Sequence, residues 1–174
     1  DTVLFVLSDH GFKSFQRGVN LNAWLLQNGY LQLKQGVGFG EPYLRNVDWS
    51  KTRAYVFGLA GVYINQKGRE GQGIVEPGEE ADTLKRELAD KLSGLIDEQR
   101  NTAAICKAYP NGDVYKGPYL SVAPDVVIGY ADQYRNSWAA ALGTVTSEVF
   151  EDNCKAWSGD HCVDPPRVPG VLFS

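Results

Sequence analysis

The chain has 174 residues, enough for one domain with a complete hydrophobic core. Hydrophobic residues make up 43% and charged residues 22%, with 17 basic against 21 acidic side chains, a net charge of −4 and no basic block. That balance argues against a nucleic-acid polymer or an anionic membrane surface as partner, and no apolar stretch approaches the ~20 residues needed to span a bilayer.

Residues 2–8 read as a strand, because Val3 to Leu7 is an unbroken apolar run. A run without polar alternation suits a strand buried on both faces of a parallel sheet. It ends in Ser8-Asp9-His10-Gly11, and such sheets place ligands at the carboxyl ends of their strands. Residues 11–20 read as a loop. Asn20 is a good N-cap for a helix over 21–26, with Leu21, Trp24 and Leu25 on one face, and Asn28-Gly29 stops it. Tyr30 to Leu33 reads as a short strand, and residues 34–51, with Gly36, Gly38, Gly40 and Pro42, as an irregular loop. Two β-rich runs, 52–57 and 61–65, flank Gly58-Leu59-Ala60 and suit a hairpin or two neighbouring strands. Residues 67–73 form a polar, glycine-rich turn, and Ile74-Val75 a brief strand.

The clearest helix begins after Pro77-Gly78. Glu79, Glu80 and Asp82 favour the positive end of its dipole, and Leu84, Leu88, Leu92, Leu95 and Ile96 form one stripe that predicts helix as far as about Asn101. Residues 105–109 read as a strand, 110–113 as a turn and 125–130 as a second apolar strand. Residues 131–160 carry no strong periodicity, and Val171-Leu172-Phe173 is a last apolar run. Alternating strands and helices predict an α/β fold, a mostly parallel sheet flanked by helices. The chain starts at Asp1, contains no Met and opens almost directly into an apparent core strand, so it reads as a piece of a longer protein.

Both histidines sit in Asp-His pairs, Asp9-His10 and Asp160-His161, each near a serine and a glycine. Imidazole and carboxylate suit zinc or manganese, and a glycine lets the backbone turn so that adjacent side chains reach one ion. One surface Asp-His pair is ordinary and does nothing. Two pairs holding every histidine of the chain, one at a strand's carboxyl end, point more firmly to metal. The other candidates are weaker. Gly36 to Gly40 lacks the strand–turn–helix frame of a phosphate cradle. The four tryptophans suit packing better than a stacking platform, and no nucleophile-elbow pattern occurs. Cys106, Cys154 and Cys162 are an odd set without CxxC spacing. Three free thiols in a reducing cytoplasm is the ordinary reading; a Cys154–Cys162 pair is the alternative.

Val6 to Phe12, followed by Leu21-Asn22-Ala23-Trp24-Leu25 and Gly29-Tyr30-Leu31, resembles the alkaline-phosphatase superfamily. The nearest branch is that of type I phosphodiesterase/nucleotide pyrophosphatases and predicted phosphohydrolase/phosphomutases. Tyr63-Ile64-Asn65, Gly68-Arg69-Glu70, Gly73, Ala123-Pro124-Asp125-Val126 and Trp157 to Cys162 fit the same branch, so the resemblance spans residues 3–174.

The resemblance implies a three-layer sandwich and a two-metal phosphoryl-transfer site. Asp9 and His10 match ligands of one ion and His161 a ligand of the other, with Ser8 and Asp160 supporting them. The two divalent ions, zinc or manganese, would clamp attacking and leaving oxygens in an in-line displacement. The family's Thr or Ser nucleophile, its early Asp ligand and an Asp-x-x-x-His pair are expected upstream of Asp9. Residues 1–174 therefore read as one domain, the C-terminal part of a catalytic domain, with the nucleophile on the missing N-terminal part. The implied substrate is a small phosphodiester, nucleotide pyrophosphate or phosphomonoester. The implied partners are that missing part or another copy of this chain. The rival reading is a non-catalytic α/β binding or scaffold domain that kept the fold. Residues 34–51 and 101–122 are the stretches open to a specificity role.

Overall fold

A computed structural model describes residues 2–59 and 61–173; Ala60, within the expected turn at 58–60, lies outside the described residues. In chain order the elements are β1 (Val6–Ser8), β2 (Lys13–Val19), α1 (Leu21–Gln27), β3 (Ala54–Val56), β4 (Gly61–Ile64), α2 (Glu79–Leu92), β5 (Ile96–Asp97), β6 (Thr102–Ala103) and β7 (Ile105–Pro110). There follow α3 (Asn111–Val114), β8 (Val126–Tyr130), β9 (Gln133–Asn136), α4 (Trp138–Ala141), β10 (Phe150–Asp152), β11 (Gly159–Asp160) and β12 (Val171–Phe173).

These strands do not form one parallel sheet. β3, β4, β8 and β7 make a four-stranded sheet in that order, and every pairing in it is antiparallel. A second sheet centres on β2, which pairs antiparallel with β10 and β11 and parallel with β9. β5 with β6 and β1 with β12 form separate antiparallel ribbons. Among the described residues β2–β9 is the only parallel strand pair, so the expected mostly parallel sandwich is overturned. Apolar runs report that a strand is covered. They do not report the direction of its neighbour, which non-local packing decides.

The largest correction concerns residues 2–8. Only Val6–Ser8 is strand, and it pairs with Val171–Phe173 rather than entering a core. Val3, Leu4, Phe5, Val6, Leu7, Val171, Leu172 and Phe173 all stay exposed.

The two long helical patterns behave as their chemistry dictates. The Asn20 side chain accepts the Ala23 N–H at 3.0 Å and caps α1, whose buried face carries Leu21, Ala23, Trp24 and Leu25. α2 lays Leu84, Leu88 and Leu92 onto the β7 sheet, each worth about 1.5–3 kcal/mol of burial. It stops at Leu92, short of the expected end. Gly94 takes φ 75°, a left-handed residue that breaks the helix, and Ile96–Asp97 turn back to pair with β6. Tyr30 to Leu33 makes one isolated bridge, Leu33 to Val47, instead of a strand. The expected turn at 110–113 begins α3, and residues 131–160 supply three strands and a helix that their sequence did not announce.

Candidate functional site

The β2 sheet draws the two ends of the chain together. Asp160 of β11 stands opposite Lys13 of β2, which brings the 158–162 turn beside Phe12. On the other side the β1–β12 ribbon carries Ser8 opposite Val171, and the Gly11 N–H donates to the Val168 carbonyl at 3.1 Å. Gly170 is required there, because a Cβ would collide with the Ser8 and Asp9 carbonyl oxygens.

The result is that His10 and His161 meet. Their ring centroids lie 4.0 Å apart with planes 6° from parallel. Phe12 closes one end of the stack, edge-on to His10 at 5.6 Å and to His161 at 5.7 Å. His10 Nδ1 lies 3.0 Å from the Gly11 carbonyl oxygen, which only accepts, so Nδ1 carries the proton and donates. Nε2, the other ring nitrogen, lies 3.8 Å from Asp9 Oδ2. The Asp9 side chain is 87% exposed and, among the described residues, pairs with no other cation. Ser8 does not touch the ring; its hydroxyl donates to the His10 carbonyl at 2.8 Å and pins the turn.

Asp160 behaves differently from Asp9. It is buried, and its Oδ1 accepts the backbone N–H groups of His161 at 2.7 Å and Cys162 at 2.9 Å. Its Oδ2 lies 2.8 Å from Nε of the buried Arg135. Both oxygens are committed, so Asp160 fixes the backbone from which His161 projects rather than offering a free ligand. Arg135 in turn lies over the Trp138 ring at 4.1 Å and the Phe15 ring at 5.0 Å.

Ligand atoms of Asp160, His161 and Cys162 fall within 4.8 Å of one another. Burial first, then the Asp160 carboxylate, push the Cys162 thiol up to about 11, so it stays protonated near neutral pH. All three cysteines are free thiols. Sequence reasoning missed Arg135, Phe12 and Cys162. Phe12 and Cys162 adjoin the Asp-His pairs and were legible by adjacency. Arg135 sits in an aperiodic stretch and carries no local signal.

The family description type I phosphodiesterase / nucleotide pyrophosphatase matches residues 1–144. The chain belongs to that family. No curated protein and no solved structure matches it. The type I phosphodiesterase match covers Asp9 and His10 and stops before His161. Membership makes this a hydrolase domain of the phosphodiesterase/nucleotide pyrophosphatase type, a family that is generally metal-dependent and whose substrates are small phosphate esters. Among the described residues the small cluster of Asp160, His161 and Cys162 is of the residue types that hold a divalent metal ion. No described helix is long and apolar enough to cross a membrane.

Proposed function

We propose that residues 1–174 form one domain, the metal-binding C-terminal part of a two-metal phosphoryl-transfer hydrolase. In this reading Asp9 and His10 hold one divalent ion and His161 the other, with zinc favoured and manganese accepted. The stacked imidazoles carry the proposal. Lone pairs lie in ring planes, and two rings stacked with centroids 4.0 Å apart and planes 6° from parallel share no in-plane point within bonding reach. One ion cannot sit in both ring planes, whereas two ions can, one per ring, as in two-metal sites. Such ions, when bound, supply charge to a transferring phosphoryl group and lower the pKa of groups they hold. Ser8 and Asp160 orient the two histidines, Ser8 through the His10 carbonyl and Asp160 through the His161 N–H.

The nucleophile, a Thr or Ser, is proposed to lie on chain outside these residues. Ser8 is occupied by its carbonyl acceptor and is not a candidate for it. The exposed ribbon supports the same view. Five large apolar side chains on two short strands, with Val3, Leu4 and Phe5 just before them, are an unstable surface in water, and an isolated two-stranded ribbon is marginal. More of the same polypeptide, or another copy of this chain, would cover it.

Zinc titration with ¹³C-labelled histidine tests the proposal. Both ring signals should shift over two binding steps, each no tighter than micromolar, since each ion has one or two protein ligands here. His161→Ala should abolish one step and His10→Ala the other. A single step that moves neither ring, or submicromolar affinity at both, overturns the ligand assignment. Turnover of a nitrophenyl phosphodiester by this chain, lost in His161→Ala, overturns the placement of the nucleophile.

A further inference from the structure

Cys162 has no part in the two-ion reading, yet its place beside His161 is built by the fold. In an extended strand neighbouring side chains point to opposite faces, so a straight continuation of β11 would hold His161 and Cys162 apart. β11 ends at Asp160, and the chain turns there. Asp160 Oδ1 accepts the N–H groups of His161 at 2.7 Å and Cys162 at 2.9 Å. The Val163 N–H donates to the His161 carbonyl at 2.8 Å, so Cys162 is the centre of a three-residue turn. The turn places the ligand atoms of His161 and Cys162 within 4.8 Å of each other.

That turn is anchored at both ends. Before it, Asp160 Oδ2 lies 2.8 Å from Arg135 Nε. After it, the Asp164 N–H donates to the Tyr130 carbonyl at 2.9 Å, and the Asp164 carboxylate accepts the Tyr109 hydroxyl at 2.8 Å. Val163, between the anchors, is buried. The backbone is therefore fixed while the side chains stay open to an ion from solvent: His161 is 46% exposed and Cys162 is partly exposed. Nitrogen and sulfur ligands of one tetrahedral zinc stand ~3.6 Å apart, given bond lengths of ~2.1 and ~2.3 Å. Rotation of the exposed imidazole has at most ~1.2 Å to close from 4.8 Å.

The donor sets on the two sides of the imidazole stack differ. Asp9 and His10 offer a carboxylate oxygen and a ring nitrogen. On the other side Asp160 has both oxygens committed, so the donors left are the His161 ring nitrogen and the Cys162 sulfur. Oxygen donors suit manganese and magnesium, whereas a thiolate selects softer ions such as zinc. Resting on the two-ion reading of His10 and His161, we propose that Cys162 is the second protein ligand of the His161 ion. The two halves of the site are then not interchangeable: the His161 and Cys162 half takes only a thiophilic divalent ion, zinc among them. On metal entry the Cys162 S–H bond breaks, the sulfur electron pair forms the S–metal bond and the proton passes to solvent. Among the described residues neither Cys106 nor Cys154 belongs to such a cluster.

Cobalt(II) titration of the intact chain, read by near-ultraviolet absorption, tests the proposal beside zinc titration read at the ¹³C-labelled histidine rings. A saturable thiolate-to-cobalt charge-transfer band should appear, and should persist in Cys106→Ser and Cys154→Ser. Serine has the shape of cysteine and position 162 is partly exposed, so Cys162→Ser should stay folded; it should lose the band and about tenfold or more in zinc affinity at the His161 step, with the His10 step unchanged. His161→Ala should weaken the cobalt affinity read from the band by about tenfold or more. Equimolar zinc should displace the band, and manganese in about hundredfold excess should not. No band while zinc still moves the His161 ring overturns the thiolate ligand and leaves the two-ion reading standing. A band that survives Cys162→Ser, or that manganese displaces, likewise overturns it. A band that His161→Ala leaves unchanged, with the His161 ring unmoved by zinc, overturns the pairing and the two-ion reading together.

Discussion

Replacing Arg135 by Met isolates the support behind His161. The Arg135 side chain is 3% exposed and the Asp160 side chain 9%, so the pair is desolvated. Met keeps an aliphatic body beside Phe15 and Trp138 and removes the charge. Asp160 then remains buried and ionised, held by two backbone N–H groups. Breaking a buried pair from one side costs about 3–5 kcal/mol. The surviving N–H bonds place Arg135→Met at the lower end, about 3 kcal/mol. With a urea slope of about 2 kcal/mol/M, the unfolding midpoint should fall by about 1.5 M. Adding Asp160→Asn removes the stranded charge, so the double variant should recover at least about 1 kcal/mol relative to Arg135→Met alone. Zinc should still bind at Asp9 and His10 in Arg135→Met, while the His161 step weakens. A midpoint shift below about 0.5 M, or a double variant as unstable as the sum of the singles, would refute the reasoning.

Three further outcomes follow from the same geometry. Asn20→Ala removes the α1 cap and also the Asn20 Nδ2 donor to the Thr144 carbonyl at 3.1 Å, so it should cost about 2 kcal/mol in denaturant unfolding; a cost under about 0.5 kcal/mol would mean the cap is replaced by water. Burial holds Cys162 up at about 11 from an ordinary 9.0, and burial with an acidic neighbour holds Tyr109 (Asp164) and Tyr134 (Asp97) up at about 12 from 10.0. The unfolded chain therefore releases these protons first; stability is fully present below about pH 9 and should fall as pH rises from there toward 12, read as a steadily lower Tm, with a shallower fall in Cys162→Ala. Leu7 and Leu172 stand opposite each other on the exposed ribbon, so Leu7→Lys with Leu172→Glu keeps the pairing and should reduce concentration-dependent self-association in sedimentation; a parent chain that stays monomeric at high concentration would contradict a cohesive ribbon.

Local chemistry decided a good part of this molecule. Asn20 capped α1, the leucine stripe set the buried face of α2, and the Asp-His pairs marked both ends of the candidate site. Each of these is written within a few residues, where spacing and side-chain type suffice. Family membership was legible in the same way, from short motifs along the chain.

Strand partners were not legible. The run at Val3 to Leu7 was apolar enough for a core, yet the structure leaves it exposed, because apolar character states a need for cover and names no partner. Arg135 was equally silent: its meaning comes from Asp160, brought to 2.8 Å by the β2 sheet across an aperiodic stretch. The sequence by itself determined that Asp9, His10 and His161 are the ligand candidates, since only residue type and short spacing enter that choice. Only the tertiary structure decided that His10 and His161, from opposite ends of the chain, stack face to face, because that contact depends on pairings between distant segments that no local pattern encodes.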